Sequence, residues 1–587
     1  MAIRGRIKTY KNKDGTTRQY LCLVESYWDK EKKGGREREI ANLGRIDLPE
    51  NKELPDRIIA ALEKNAVRTK ILKSISDIKP VSSKEFGQIQ IFRTLWNKLG
   101  FEKVLRNYLE KTNLETDFVE AIFMMVCNKL IEPASERGAD IWKNEVHEPK
   151  WDNYQLHHLY RAMDFLIAHK ANVEVDLYNS VRDLFNIKVD VVMFDTTSLS
   201  YWGEGEEAPE FLKHGYAKNK RKDLKQIVIG LIMDQSGIPL GHEVWSGNCS
   251  DKPAFKEIIE KIKHKYSIGK VILVADRGMI SEDNINFLEQ NNYDYILGAK
   301  MRQLPKTRKH ILLEDRNEFK KMDDSYLLYK EMTEYQLWEK EQKILKPDTD
   351  FSEFIKKYAL TSKGKRRWIA CLNPQIETMD ANKRKYFQEI LENKVEFSTA
   401  KDWIISNGYK KYVNITDFAI SLNEERLKED ELYDGKWLMI TSSSLEAFEI
   451  IKAYKNLSHI ERHFRDLKSE LEVGPIYHRV ERRIKAHVFL SFLALQIKAG
   501  ITKLLKAKNP KISYSEAIRD VAKIKAVRFN IEDKSIVMRT KFEGLASFVY
   551  STTGTKIPNQ ILIEEHTIES SELAEVESAY CFDAERL

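Results

Sequence analysis

Two apolar runs in this chain each stop at an aspartate. The first, Val191-Val-Met-Phe194, meets Asp195, and the second, Val271-Ile-Leu-Val-Ala275, meets Asp276. Between them lie two more β-type runs, 226–233 and 238–245, joined by the turn tetrapeptide Asp234-Gln-Ser-Gly237, and a helical pattern over 252–265. A second helical pattern over 281–290 and a strand pattern over 293–299 follow. Three strands and then alternating helix and strand predict a mixed sheet flanked by helices. If the strands carrying Asp195 and Asp276 are neighbours, both carboxylates emerge at one edge of the sheet, where α/β sites form. Two hard oxygen ligands placed together suit Mg2+ or Mn2+. One such aspartate reads equally well as a turn or helix-cap residue. Two in this strand order fit that bland explanation less well.

Composition narrows the surroundings of this core. At 587 residues and roughly 150 residues per domain, there is room for about three or four domains. Apolar residues are 42% of the chain, which excludes a wholly disordered protein and a small stapled scaffold. Lys and Arg number 97 against 90 acids, a net +7. So mild an excess fits nucleic acid only where it is clustered. The five cysteines lie far apart with no C-x-x-C pair, which argues against a zinc ribbon or a disulfide framework. The start of the chain lacks a signal-peptide core. The longest apolar stretches, near 121–127 and 488–497, are short for a bilayer span. A soluble cytoplasmic protein without a membrane partner is expected.

Texture divides the chain. Residues 1–50 read as a basic β-hairpin-like segment, with 11 basic and 6 acidic residues in 1–40. Residues 51–185 show helical periodicity. The α/β pattern occupies 186–301. Scattered short β-runs and Trp338, Trp368 and Trp403 in 302–435 suggest a β-rich insertion. A strand and helices over 436–505 return to the core, and 506–587 form a C-terminal region with an acidic tail.

A third carboxylate has to come from another element. Tyr454, Glu461 and Lys468 recur every seven residues, nearly two helical turns, so one continuous helix would carry them as a stripe. Arg465 joins that face. The plain alternative is a Glu461–Arg465 surface pair worth a few tenths of a kcal/mol. His459 and His463 stand four apart, a possible zinc spacing, but no third ligand suggests itself. Basic residues cluster at Lys213, Lys218, Lys220, Arg221, Lys222 and Lys225, and nine of them fall in 452–485 against five acids. Two such clusters beside a metal site are what a phosphate backbone needs. Neither a P-loop nor a convincing G-x-S-x-G is present.

Together, Asp195, Asp276 and Tyr454-x2-Leu457-x3-Glu461-x6-Lys468 resemble bacterial insertion-sequence transposases of the DDE type, in the cut-and-paste subgroup with the helix signature Y-x2-R-x3-E-x6-K. Val274-Ala-Asp-Arg-Gly278, Tyr295–Arg302 and Gly247-Asn-x2-Asp251 are also similar. The resemblance implies an RNase H-like catalytic core split by an insertion. It implies that Asp195, Asp276 and Glu461 hold two Mg2+ or Mn2+ ions, and that Tyr454 and Lys468 support a phosphate near the cut. The implied partners are double-stranded DNA, as transposon-end inverted repeats and target, and a second copy of the chain in the DNA complex. Lys213, Lys220, Arg221, Lys225, Arg462 and Arg465 are the expected DNA contacts. Trp437 is the expected stacking residue if excision passes through a hairpin. The signature Arg position holds Leu457, so a contact there must come from elsewhere, with Arg462 and Arg465 the nearest sources. Two other readings stay open from the residues alone: a metal-dependent nuclease without strand transfer, and a non-enzymatic DNA-binding descendant.

Overall fold

The computed structural model describes residues 2–12, 15–29, 34–48, 79–185, 191–202, 209–215, 223–265, 272–322, 326–393, 409–415, 420–531 and 534–562. Lys218, Lys220, Arg221, Lys222, Trp403, all of 51–78 and the acidic tail lie outside them. The chain divides into two compact units, one of Met1–Phe185, Asp466–Val473 and His478–Leu587, the other of Asn186–Arg465 and Gly474–Tyr477.

The first unit begins with an antiparallel three-stranded sheet, Ala2–Lys11, Thr17–Asp29 and Gly34–Arg45, one strand more than a hairpin. Several of its basic residues face acids, as in Lys8–Glu39 and Arg38–Glu25, both at 2.7 Å. Helices follow from Gly87 to Phe185. The Phe118–Ile131 helix starts at Asp117, whose carboxylate accepts from the Val119 and Glu120 N–H groups at 3.1 and 3.2 Å. At the centre lies the 28-residue Glu481–Lys508 helix, which packs on Phe118–Ile131 and Leu156–Ala168. It is the one described helix long and apolar enough to cross a membrane, yet 83% of its most apolar window is buried inside the protein. A helix apolar all round is a core helix when other helices surround it. The strands Lys525–Ile531, Lys534–Arg539 and Ile561–Leu562 join Lys79–Glu85 in a four-stranded antiparallel sheet. The division expected at 505/506 is therefore corrected: residues from 478 onward fold with the N-terminal helices, and the helix assigned to the α/β core is not part of it.

The second unit holds a nine-stranded sheet. Its strands are β1 Val191–Ser200, β2 Gln226–Asp234, β3 Pro239–Ser246, β4 Ile272–Ala275, β5 Asp294–Gly298, β6 Lys320–Lys321, β7 Leu328–Thr333, β8 Arg367–Leu372 and β9 Lys436–Thr441. The order is β6-β7-β8-β9-β5-β4-β1-β2-β3. β4 runs parallel to both β1 and β5, and every other neighbour is antiparallel. β2 is buried at every position, which is why it reads as a continuous apolar run.

The β-rich insertion expected over 302–435 is corrected as well. Its described residues are largely helical, with Glu334–Leu345, Ser352–Ala359, Pro374–Asn393 and Glu424–Glu431 the main elements. β6, β7 and β8 extend the central sheet through β8–β9 pairing. Buried Arg366 locks this addition down, donating to Glu289 at 2.7 Å and Glu282 at 2.8 Å. Trp338 packs among Phe351, Phe354 and Tyr358, and Trp368 donates to Glu334.

In the first unit, buried Lys498 on the Glu481–Lys508 helix pairs with Asp466 at 3.0 Å and with Glu470. Removing one partner of a buried ion pair leaves an uncompensated charge. Lys498→Met is expected to lower stability by about 3 kcal/mol or more, read as a reduced urea midpoint. An unchanged midpoint would show that the pair contributes nothing net.

Candidate active site

Strand register decides where the two aspartates stand. β1 and β4 are parallel with Phe194 opposite Ala275. The next residues along are Asp195 and Asp276, so both stand at one level on neighbouring strands. Only Asp276 follows the end of its strand. β1 continues to Ser200 beside β2, with Asp195 opposite Leu231, so Asp195 marks where pairing with β4 stops. Asp195 is half-buried and accepts from the Thr196 N–H at 2.7 Å, and Asp276 is exposed. The loop after Asp276 is held open by local bonds. The Asp276 carbonyl accepts from Met279 N–H at 3.0 Å, Asn284 donates to the Met279 carbonyl at 2.8 Å, and the Ser281 hydroxyl caps the Glu282–Gln290 helix.

Tyr454 reaches this edge from the Ala447–Lys455 helix, which packs on β4 and β5. Its hydroxyl donates to Asp276 Oδ1 at 3.4 Å. Room for it comes from Gly298, the last residue of β5: a Cβ there would lie 2.1 Å from the Tyr454 hydroxyl oxygen. Sequence reasoning misses Gly298, because only the fold shows what approaches it. Burial first, then the Asp276 charge and more weakly that of Glu461, push the Tyr454 phenol well above its ordinary value. Glu461 stands seven residues after Tyr454, in the next helix. It lies on the exposed side of the Ser458–Arg465 helix, which packs on β1 through a face buried at Ile460, His463 and Phe464.

The single continuous helix expected around 453–472 is corrected. The α-helix interrupts at Asn456-Leu457, resumes over Ser458–Arg465 and widens into a π turn over Asp466–Glu470. A uniform 3.6-residue stripe does not run through both irregularities, and π turns are frequent at functional sites. Lys468 lies half-buried in that turn. Leu457 is half-buried, and Arg462 and Arg465 are exposed.

The histidine pair has a docking role. His463 Nε2 is 2.7 Å from the Gly237 carbonyl, and a carbonyl only accepts, so this nitrogen carries a hydrogen. Asn456 donates to the Gln235 carbonyl at 3.1 Å. Gly237, at φ +85°, closes the β2–β3 turn, where a Cβ would sit 3.0 Å from the His459 ring. The helix carrying Glu461 is thereby fixed to the hairpin beside β1.

Lys213 pairs its main chain with Gln226 and sets its ammonium 3.7 Å from Glu210. Lys225 immediately precedes β2 and is half-buried. Lys220 and Arg221 fall outside the described residues. Trp437 lies on β9, two residues before Met439, which pairs with Gly298. Alternation therefore puts Trp437 on the same sheet face as position 298, with the Lys455 ammonium 5.6 Å above its ring.

Asp195, Asp276 and Glu461 offer oxygen donors only, from half-buried or exposed positions, and a neutral phenol donates to one of them. That donor set fits hard divalent ions.

The family described as Transposase DDE domain matches residues 188–497, and that described as IS1634 family transposase, N-terminal domain, matches residues 6–79. A cryo-EM structure of a piggyBac transposase synaptic complex with hairpin DNA is similar over 84% of this chain and 84% of that one, at a TM-score of 0.35 and 9% sequence identity. Comparison with the curated proteins finds no match.

Gly298→Ala is expected to destabilise the protein by about 1–3 kcal/mol, since overpacking forces Tyr454 off its seat. Adding Tyr454→Phe removes the oxygen that the new methyl meets first, so the double variant should recover part of the loss. Urea unfolding of the three variants tests this, and strictly additive losses would show that the two positions do not interact.

Proposed function

We propose, since this chain belongs to the insertion-sequence transposases of the DDE family, that it cuts double-stranded DNA at transposon-end inverted repeats and joins the freed 3′-OH ends to target DNA. Asp195, Asp276 and Glu461 are the proposed catalytic residues. The observation that carries this reading is the alignment of Asp195 with Asp276 across a parallel strand pair, with Tyr454 bonded to Asp276. Three antiparallel strands followed by two parallel ones, in the order β5-β4-β1-β2-β3, support reading the core as RNase H-like.

Asp195, Asp276 and Glu461 would hold two Mg2+ or Mn2+ ions. When bound, such ions supply water activation and charge stabilisation at the leaving 3′ oxygen. Tyr454 keeps its proton at neutral pH, because its phenol titrates well above that range, so it stays a hydrogen-bond donor. We assign it to orienting Asp276 and to meeting a phosphate oxygen. Lys468 is assigned to the phosphate beside the cut as a point charge. Exposed Arg462 and Arg465 stand five and eight residues after Leu457 and take over the backbone contact that this position lacks. Lys213, Lys220, Arg221 and Lys225 extend the phosphate track. Trp437 is the stacking residue for a hairpin intermediate, two copies of the chain hold the paired ends, and the setting is the cytoplasm at the nucleoid.

Asp195→Asn, Asp276→Asn and Glu461→Gln should each abolish cleavage while end binding stays near wild type, because affinity comes from the basic residues. Wild-type cleavage should run with Mg2+ or Mn2+ and fail in Ca2+, whose longer, looser coordination misplaces the reacting oxygen. A gel assay on end-containing duplex reads both. Near-normal cutting by a folded variant removes that residue from the site, and full activity in chelator rejects the metal reading.

Lys468→Ala should slow single-turnover cleavage strongly with metal dependence unaltered, and Lys468→Arg should recover part of the rate, since its charge persists in a different shape. An alanine variant cutting at the wild-type rate would return Lys468 to an ordinary helix surface.

A further inference from the structure

A second cluster of side chains, sharing no residue with the carboxylate site, has the make-up of a metal centre. Glu136, His478 and His487 each present a ligand atom, all within 4.8 Å of one another. Glu136 opens the Glu136–Trp142 helix, His478 stands three residues before the Glu481–Lys508 helix, and His487 lies in that helix's second turn. Glu136 and His487 are buried and His478 is mostly so. Glu136 Oε2 is 2.9 Å from His478 Nε2, and Oε1 is 3.3 Å from His487 Nδ1.

Protonation exposes the problem that this geometry poses. His487 Nε2 is 3.1 Å from the Val473 carbonyl. A carbonyl only accepts, so Nε2 carries a hydrogen, and Nδ1 of the neutral ring is a bare lone pair. That lone pair faces the carboxylate oxygen of Glu136, another acceptor. Two acceptors at this separation repel unless a proton or a cation lies between them. The proton would make the buried ring an imidazolium, with Nδ1 toward Glu136 and Nε2 toward the Val473 carbonyl both donating. A metal ion removes the conflict with a neutral ring, the form in which histidine ligates. The Val473 carbonyl on the far nitrogen is then the usual outer partner of a ligating histidine. Ligands about 2.0–2.1 Å from a tetrahedral ion stand about 3.3 Å apart, the separation of Glu136 Oε1 from His487 Nδ1, while Glu136 Oε2 and His478 Nε2, at 2.9 Å, would move slightly apart on binding.

We propose that Glu136, His478 and His487 bind one first-row divalent ion, zinc foremost. Two imidazoles and one carboxylate select that class, whereas the oxygen-only set of Asp195, Asp276 and Glu461 selects Mg2+ or Mn2+. The chain thus carries two sites of different chemistry. The ion ties the Glu136–Trp142 helix to the entry of the central helix and leaves a coordination position for water.

The test uses the full-length Asp195→Asn/Asp276→Asn protein, so that the other carboxylates do not contribute. The protein is stripped with chelator and titrated with Co2+ and then Zn2+. The expected result is a single Co2+ per chain with visible d–d bands, displaced by Zn2+, and a higher unfolding temperature with either ion. His487→Gln should lose all of these. Should that buried variant not fold, His478→Asn at the less buried position carries the test: it should lose the bands while its far-UV circular dichroism stays wild-type. The proposal is overturned if the parent shows no bands and no rise in unfolding temperature, if the bands survive in His478→Asn, or if nitrogen NMR of the zinc-treated parent finds His487 doubly protonated.

Discussion

The parallel pairing of β1 with β4 is the constraint on which the carboxylate site rests. With Phe194 opposite Ala275, Asp195 and Asp276 must stand level, because successive residues on two parallel strands keep step. A slip of one residue would turn one of the two side chains to the other face. Register is therefore protected by burial. Val192, Met193 and Phe194 on β1 and Leu273, Val274 and Ala275 on β4 are all buried, so a slip would have to rebuild the packing on both faces of the sheet. The site is as rigid as the packing that enforces it.

What approaches this edge depends on a missing side chain. β5 ends at Gly298, and the phenol of Tyr454 occupies the space where a Cβ would be. The helix carrying Tyr454 can thus come close to Asp276, and the next helix presents Glu461 from a segment pinned through His463 and Asn456 to the β2–β3 turn. The i, i+4 histidines serve that docking. Their spacing puts His463 on the buried face of the Ser458–Arg465 helix, and the nearest partner there is a backbone carbonyl.

These contacts explain which features of the protein are legible in its sequence. The strands of the α/β core are readable because β2 is apolar from Ile227 to Met233 and Asp234-Gln-Ser-Gly237 has turn chemistry at each position. The family follows from Asp195, Asp276 and Glu461 with Tyr454 and Lys468 at fixed offsets, and the family match over 188–497 agrees. Gly298 carries no signal, since its reason is a side chain 156 residues away in sequence. The breaks at Asn456-Leu457 and Asp466–Glu470 are invisible to a period count, which assumes uniform helix. The insertion misleads for a related cause: its short strands pair with one another and join the central sheet only where β8 meets β9, so local texture does not reveal that they extend that sheet.

The Glu481–Lys508 helix shows the same limit from the opposite side. Its sequence reads as a long apolar element that follows the proposed Glu461 helix, and adjacency assigns it to the α/β core. Burial decides otherwise. A helix buried around its circumference needs other helices on several sides, and Phe118–Ile131 and Leu156–Ala168 supply them. Several polar groups on it meet partners from within the same unit. Lys498 meets Asp466 and Glu470, Ser491 donates to the His487 carbonyl, and His487 meets Glu136 and the Val473 carbonyl. Each of these partners is distant in sequence or belongs to the same helix. Burying a polar group without a partner costs free energy, so a core helix that carries Lys498 and His487 places strict demands on its surroundings. Those demands bind segments as far apart as Glu136 and Asp466 into one unit.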